Sequence, residues 1–181
     1  GLAVQAIELE ASRERLIAES ARQNVIPRPA TWEALPPEYV ELANAVLARQ
    51  QDELLARRSA VHAQTGVQGQ RQSGLSARIA GYRQQIVSIE QQTVLVTDEL
   101  EGLRALQSEG FAAETRVRAA ERTVAELTGR RAELLGLIEQ ANEGIGETRM
   151  QSLSIREDRA QMIAQELRLV ETQLADVQPR L

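Results

Sequence analysis

Across 181 residues only one Phe, one Trp and two Tyr are available to fill an interior, which argues against a compact globule built on an aromatic core. The apolar content comes instead from Leu, Ala, Val and Ile mixed with Glu, Gln and Arg, the composition of long helices and coiled coils. A net charge of −5 with acidic and basic residues interspersed offers no surface for nucleic acid, and the lack of Cys excludes disulfides and thiolate metal sites.

A chain without Cys also tolerates an oxidising compartment such as the periplasm. No run of about 18 consecutive apolar residues occurs, and the start lacks a basic stretch followed by an apolar one, so neither a membrane span nor a signal peptide is expected. The Gly1 start is read as that of an excised fragment.

The first predicted element is a helix over about residues 1–23, with Leu2, Leu9 and Leu16 seven apart and Ala6 between the first two. Pro27, Pro29, Pro36 and Pro37 then remove backbone donors and restrict the residues before them, which predicts a rigid loop over 24–37. Trp32 in that loop is expected to pack on neighbouring helices.

A second helix is predicted over about 38–108. Its stripe runs Leu47, Leu54, Val61, Gln68, Leu75, Tyr82, Ile89, Val96, Leu103, with Ile79, Ile86, Thr93 and Leu100 at the alternate positions. A third helix, about 113–181, carries Val117, Ala120, Val124, Leu127, Leu134, Ile138, Ala141 and Ile145, then Ala160, Ile163, Leu167, Val170, Leu174, Val177 and Leu181.

These two stripes mirror each other about Gly110. Leu103 and Val117 are equally distant from it, as are Leu100 and Ala120, Val96 and Val124, Thr93 and Leu127, Ile86 and Leu134, Tyr82 and Ile138, Ile79 and Ala141, and Leu75 and Ile145. An antiparallel hairpin requires this symmetry, and glycine suits the turn because it takes the positive φ that ends a helix without a side-chain penalty. The same register, to within one residue, pairs Val61 with Ala160, Leu54 with Leu167 and Leu47 with Leu174.

If the first helix doubles back through the Pro-rich loop, Leu2, Leu9 and Leu16 lie level with Val61, Leu54 and Leu47. The expected fold is thus all-α, a long antiparallel two-helix coiled-coil hairpin with a shorter third helix packed on its open half. The Gly- and Gln-rich stretch 65–74, level with 146–155, is either a joint or a harmless stutter.

Little chemistry is on offer. His62 has no Cys and no second His to share a metal, and acidic pairs such as Asp98 with Glu101 or Glu8 with Glu10 read as solvated faces. Gly144 and Gly146 lack the strand, Lys and hydroxyl partner of a phosphate-cradling loop. No catalytic residue, cofactor or metal is expected, and the chain does not read as an enzyme. The unusual feature is the turn, where the single Phe lies at the apex: Phe111 is expected to cap the hairpin core. The tip formed by Leu106, Gln107, Ser108, Glu109, Gly110, Phe111, Ala112 and Ala113 also suits end-on docking against other helix ends.

The stretches Leu9-Glu-Ala-Ser-Arg-Glu-Arg-Leu-Ile-Ala-Glu19, the Ile26-Pro loop, Glu99-Leu-Glu-Gly-Leu-Arg-Ala-Leu-Gln-Ser-Glu-Gly110, Arg116-Val-Arg-Ala-Ala-Glu-Arg122 and Ile145-Gly-Glu147, in this order and spacing, carry a resemblance. The chain resembles, over essentially all its residues, the helical hairpin of periplasmic adaptor subunits of bacterial type I secretion systems, the membrane fusion proteins of the haemolysin D family. The resemblance implies an adaptor anchored in the inner membrane beside an ABC transporter, whose hairpin meets a TolC-like outer-membrane channel in the periplasm. It also implies a ring, six-fold in form, and lipoyl, β-barrel and membrane parts outside this stretch. Related adaptors carry at the tip an Arg, a Leu four residues on and a Ser seven further. Here Leu106 fits the Leu, while Gly102 and Ala113 stand where Arg and Ser would be, with Arg104 and Ser108 as chemical substitutes nearby.

Overall fold

The computed structural model of the chain describes residues 1–177, so Leu181 and the end of the expected third helix lie outside the described residues. In chain order the elements are helix α1 (Leu2–Ser20), a 3-10 turn (Ala30–Ala34), helix α2 (Pro37–Ser108) and helix α3 (Glu114–Val177). Pro37 is the first residue of α2, where its fixed φ suits the helix and its missing N–H is no loss. The stretches 65–74 and 146–155 stay helical throughout. The boundary between two compact units nevertheless falls inside both, dividing Gly1–Val67 and the residues from Gln151 on from Gln68–Met150.

In the unit Gln68–Met150, α2 and α3 are antiparallel. Arg104 meets Glu121 at 2.8 Å near the turn, Arg131 meets Glu90 at 2.9 Å further from it, and Leu75 stands against Gly144 further still. Ile79, Ile86, Ile89, Leu127, Leu134, Ile138 and Ala141 form one buried cluster, with Leu75, Tyr82, Val96, Leu137 and Ile145 packed on it. Next to the turn, Leu100, Val117 and Ala120 form a second, joined by Leu103 and Val124. Apart from Thr93, the residues mirrored about Gly110 from Leu75 to Leu103 and from Val117 to Ile145 fall in these two clusters, and Leu137 joins them without having been anticipated.

The other unit corrects one expectation. α1 does not lie with Leu2, Leu9 and Leu16 level with Val61, Leu54 and Leu47. It runs parallel to α2: Glu8 reaches Arg49, Arg15 reaches Gln50 and Glu53, and Glu19 reaches Arg57. Against α3 it is antiparallel, with Arg13 near Glu171, Arg15 near Glu166 and Glu19 bonded to Arg159. The segment after α1 makes the return instead. The Ile26 backbone N–H donates to Gln51, Arg28 donates to Asn44, and Trp32 Nε1 donates to Glu10 at 2.7 Å. Extended chain advances up to about 3.3 Å per residue and helix about 1.5 Å, so the Pro-rich segment retraces α1 with fewer residues than α1 contains.

Enclosure by α2, α3 and the returning segment widens the buried face of α1. Ile7, Ala11, Leu16 and Ala18 are buried, Leu9 is half-buried and Leu2 is exposed, so the seven-residue stripe gives way to a broader one. Ile7 and Ala11 pack with Trp32, Ala43 and Val46, and Ala18 packs with Ile26 and Leu54. Trp32 serves as expected, buried among helices, with the Arg28 guanidinium 5.7 Å from its ring centre.

Between the three helices of this unit lies a charged cluster. The Arg15 and Glu19 side chains are each only 5% exposed. Arg15 Nε donates to Gln50 at 2.6 Å and its terminal nitrogens face Glu19, Glu53 and Glu166, while Glu19 also receives Arg57 and Arg159. Burial, and then the charge of Arg57, lower the Arg15 pKa against the pull of Glu53, Glu19 and Glu166. Burial likewise opposes the charge of Arg57, but its hydrogen bond to Glu166 and the fields of Glu166, Glu53 and Glu19 outweigh it and raise its pKa. Removing one member of such a set strands the others without water, so Arg15→Ala is expected to destabilise this unit by about 3 kcal/mol in urea unfolding. A loss of less than about 1 kcal/mol would show that water replaces the guanidinium freely.

Candidate docking tip

α2 closes with a left-handed residue. The Gly110 N–H donates to the Gln107 carbonyl at 3.0 Å and the Phe111 N–H to the Leu106 carbonyl at 2.8 Å, with Gly110 at φ +82°. These are the two bonds that satisfy the last carbonyls of a helix when the chain reverses, and they require the backbone region that glycine alone enters without strain. The turn falls where the mirror in the sequence puts it. Ser108 Oγ donates to the Ala105 carbonyl at 2.6 Å, which occupies its proton but leaves its lone pairs open. α3 begins at Glu114, an acidic residue at the helix N-terminus, held by Arg118 one turn on at 3.0 Å.

Phe111 does not cap the hairpin core. It is 79% exposed and belongs to neither cluster of this unit. Leu103 and Val117 already close the last layer, and the cap at Gly110 sends the chain outward from it. Leu106 is 46% exposed as well. Gln107 and Ala112 are half-buried, and Ser108, Glu109, Gly110 and Ala113 are exposed. The turn therefore presents two apolar side chains, a hydroxyl and short backbone to solvent. Arg104, the nearby substitute for a docking Arg, is engaged with Glu121, although half its side chain is exposed.

Among the described residues no group of three or more His, Cys, Asp or Glu is placed to hold a metal, and no helix is long and apolar enough to cross a membrane. The buried charged cluster in the other unit escaped sequence reading, though the four-residue spacing of Arg15 and Glu19 was there to suggest it.

Two substitutions separate the roles at the turn. Gly110→Ala is expected to lower the stability of the Gln68–Met150 unit by about 1 kcal/mol, because the left-handed backbone then carries a Cβ. Phe111→Ala is expected to change it by less than about 0.5 kcal/mol, the range of an exposed side chain. Urea unfolding followed by circular dichroism measures both, and a large loss for Phe111→Ala would restore the capping role.

The sequence matches, over residues 1–181, the family described as AprE, long alpha-helical hairpin. Among curated proteins it is similar to the type I secretion system membrane fusion protein PrsE of Rhizobium meliloti (strain 1021), with 32% identity over 125 residues. That match covers 69% of this chain and 28% of the relative, so the chain spans roughly a quarter of the length of the relative it matches. Among solved structures, the soluble domain of LipC, a membrane fusion protein of a type I secretion system, superposes with a TM-score of 0.89 at 17% identity, covering 99% of this chain and 83% of that one. The likeness to LipC is one of fold.

Proposed function

Because this chain belongs to the AprE family of long α-helical hairpins, we propose that it is the helical part of a periplasmic adaptor of a type I protein secretion system. In this reading the full-length protein is anchored in the inner membrane beside an ABC transporter, carries its lipoyl, β-barrel and membrane parts outside these residues, and stands in a six-fold ring. The hairpin reaches a TolC-like outer-membrane channel, and its tip docks there without catalysing a reaction.

The observation that carries the docking role is the exposed pair Phe111 and Leu106 at a turn whose core is already closed. An exposed Phe is an unfavourable choice for a terminal cap and a favourable one for end-on contact, where aromatic residues concentrate. The likeness to PrsE, a membrane fusion protein of a type I secretion system, points the same way. A coiled-coil scaffold pairing its stripes between chains is less well supported, since the α2 and α3 stripes bury each other within one chain.

Photocrosslinkers at Ser108 and Phe111 of the full-length protein, in its native cell under active export, test the docking. The expected result is a covalent adduct with an outer-membrane channel, absent when the probe sits at Arg83 on the exposed side of α2. Crosslinks confined to its own chain would overturn the tip's role and favour a scaffold.

A further inference from the structure

Within the unit that contains α1, the groove between α2 and α3 is filled by α1 only as far as Ser20. Beyond that point it continues as an open cavity of about 730 Å³, lined on the α1 side by Glu19, Ser20, Arg22 and Asn24. Leu55, Val61, Ala160, Ile163 and Leu167 supply its apolar surface. From Leu55 to Thr65 the α2 side of the cavity spans roughly 15 Å, about three turns of helix at 1.5 Å per residue.

The lining is strongly basic. Arg22, Arg57, Arg58, Arg156 and Arg159 line it, and Glu19 is the one carboxylate among the lining residues. Glu19 is already taken by Arg15, Arg57 and Arg159. Arg58 is bonded to the carbonyls of Arg22 and Gln23 and to the Asn24 side chain, not to a carboxylate. Among the described residues, neither Arg22 nor Arg156 has an ion-pair partner, and the buried Nε of Arg159 has no acceptor. A buried N–H without an acceptor is uncommon and marks a place where an oxygen is missing.

We propose that this groove seats an acidic amphipathic helix of a partner protein, laid end to end with α1. Two observations select that occupant. The cavity continues the seat of α1, whose own solution is small residues on the floor, Ala11 and Ala18, and a carboxylate, Glu19, among the arginines. Arg57 is satisfied by Glu53 and Glu166, but beyond Ser20 Arg22 and Arg156 repeat that demand with no carboxylate to meet it, and Arg159 has Glu19 alone while its Nε lacks an acceptor. A helix of about three turns with Ala and Leu on one side and Glu on the other covers Leu55 and Val61 and brings acceptors to Arg22, Arg156 and Arg159.

The test uses a fluorescein-labelled, end-capped peptide of about fourteen residues with that pattern, titrated into the 181-residue chain and read by anisotropy. Saturable binding is expected, weakened at least tenfold by Arg156→Glu, an exposed helix position where the fold tolerates the change. Ala160→Trp, which fills the cavity without altering charge, is expected to weaken it as well. The proposal falls if the peptide does not bind, if the same peptide with Lys for Glu binds equally, or if Arg156→Glu has no effect. It falls in favour of a second copy of the chain if the protein self-associates with rising concentration and Arg156→Glu abolishes that. It falls in favour of a lipid if phosphatidylglycerol vesicles bind through Arg156 and the peptide does not.

Discussion

Two antiparallel helices can bury only one stripe each, and in residues 68–150 that limit governs everything else. Once Gly110 reverses the chain, each aliphatic side chain of α2 meets the residue of α3 that is equally far from the turn. The two edges of such a seam face water. Its best-buried members, such as Val117 and Ile79, therefore keep 5–6% of their surface, whereas Ile7, Leu16 and Leu54, where a third helix closes one edge, are almost fully enclosed. Stability in a two-helix seam is consequently spread over many layers of modest burial. No single side chain dominates it, and aliphatic residues suffice where a globule would need aromatics.

The third helix changes what can be buried. Between α1, α2 and α3 a carboxylate as enclosed as Glu19 is tolerable because guanidinium groups reach it from its own helix, from α2 and from α3. That geometry also discriminates between registers. Sliding α1 by one turn would take Arg15 from Gln50 and Glu19 from Arg159, leaving buried charge unmatched, while its small residues would still fit the apolar floor. Apolar packing holds α1 in place, and the charges fix where along the groove it sits.

The seam and the turn were legible in the sequence because both follow from a period and a symmetry that no neighbouring element disturbs. Leu75 through Leu103 repeat at helical spacing, the matching stripe lies beyond Gly110, and glycine is the residue that such a turn requires. The direction of α1 was not legible, because a stripe of leucines reads the same in either sense. What decides it is the reach of the Pro-rich segment, which is long enough to retrace the helix when extended. Nor does a lone Phe announce whether it faces inward. Phe111 lies one residue past the left-handed cap, where the course of the backbone and not hydrophobicity sets its direction.

The ends of α1 and α2 use the same pair of backbone bonds with different residues at the left-handed position. After α1 the Gln23 N–H donates to Ala18 and the Arg22 N–H to Glu19, with Arg22 at φ +58°. Arg22 accepts strain that glycine would avoid, in the region where a non-glycine residue costs about 1 kcal/mol. The two exits lead into different kinds of backbone. At Gly110 the chain enters a helix within a few residues, and α3 fixes its course. After Arg22 it must run extended, and the carbonyls of Arg22 and Gln23 with the Asn24 side chain converge on Arg58 of α2. A side chain at position 22 narrows the conformations open to the departing segment, and it adds a positive charge to the groove beside it. The strain thus accompanies a defined exit and a basic groove edge, neither of which glycine would supply.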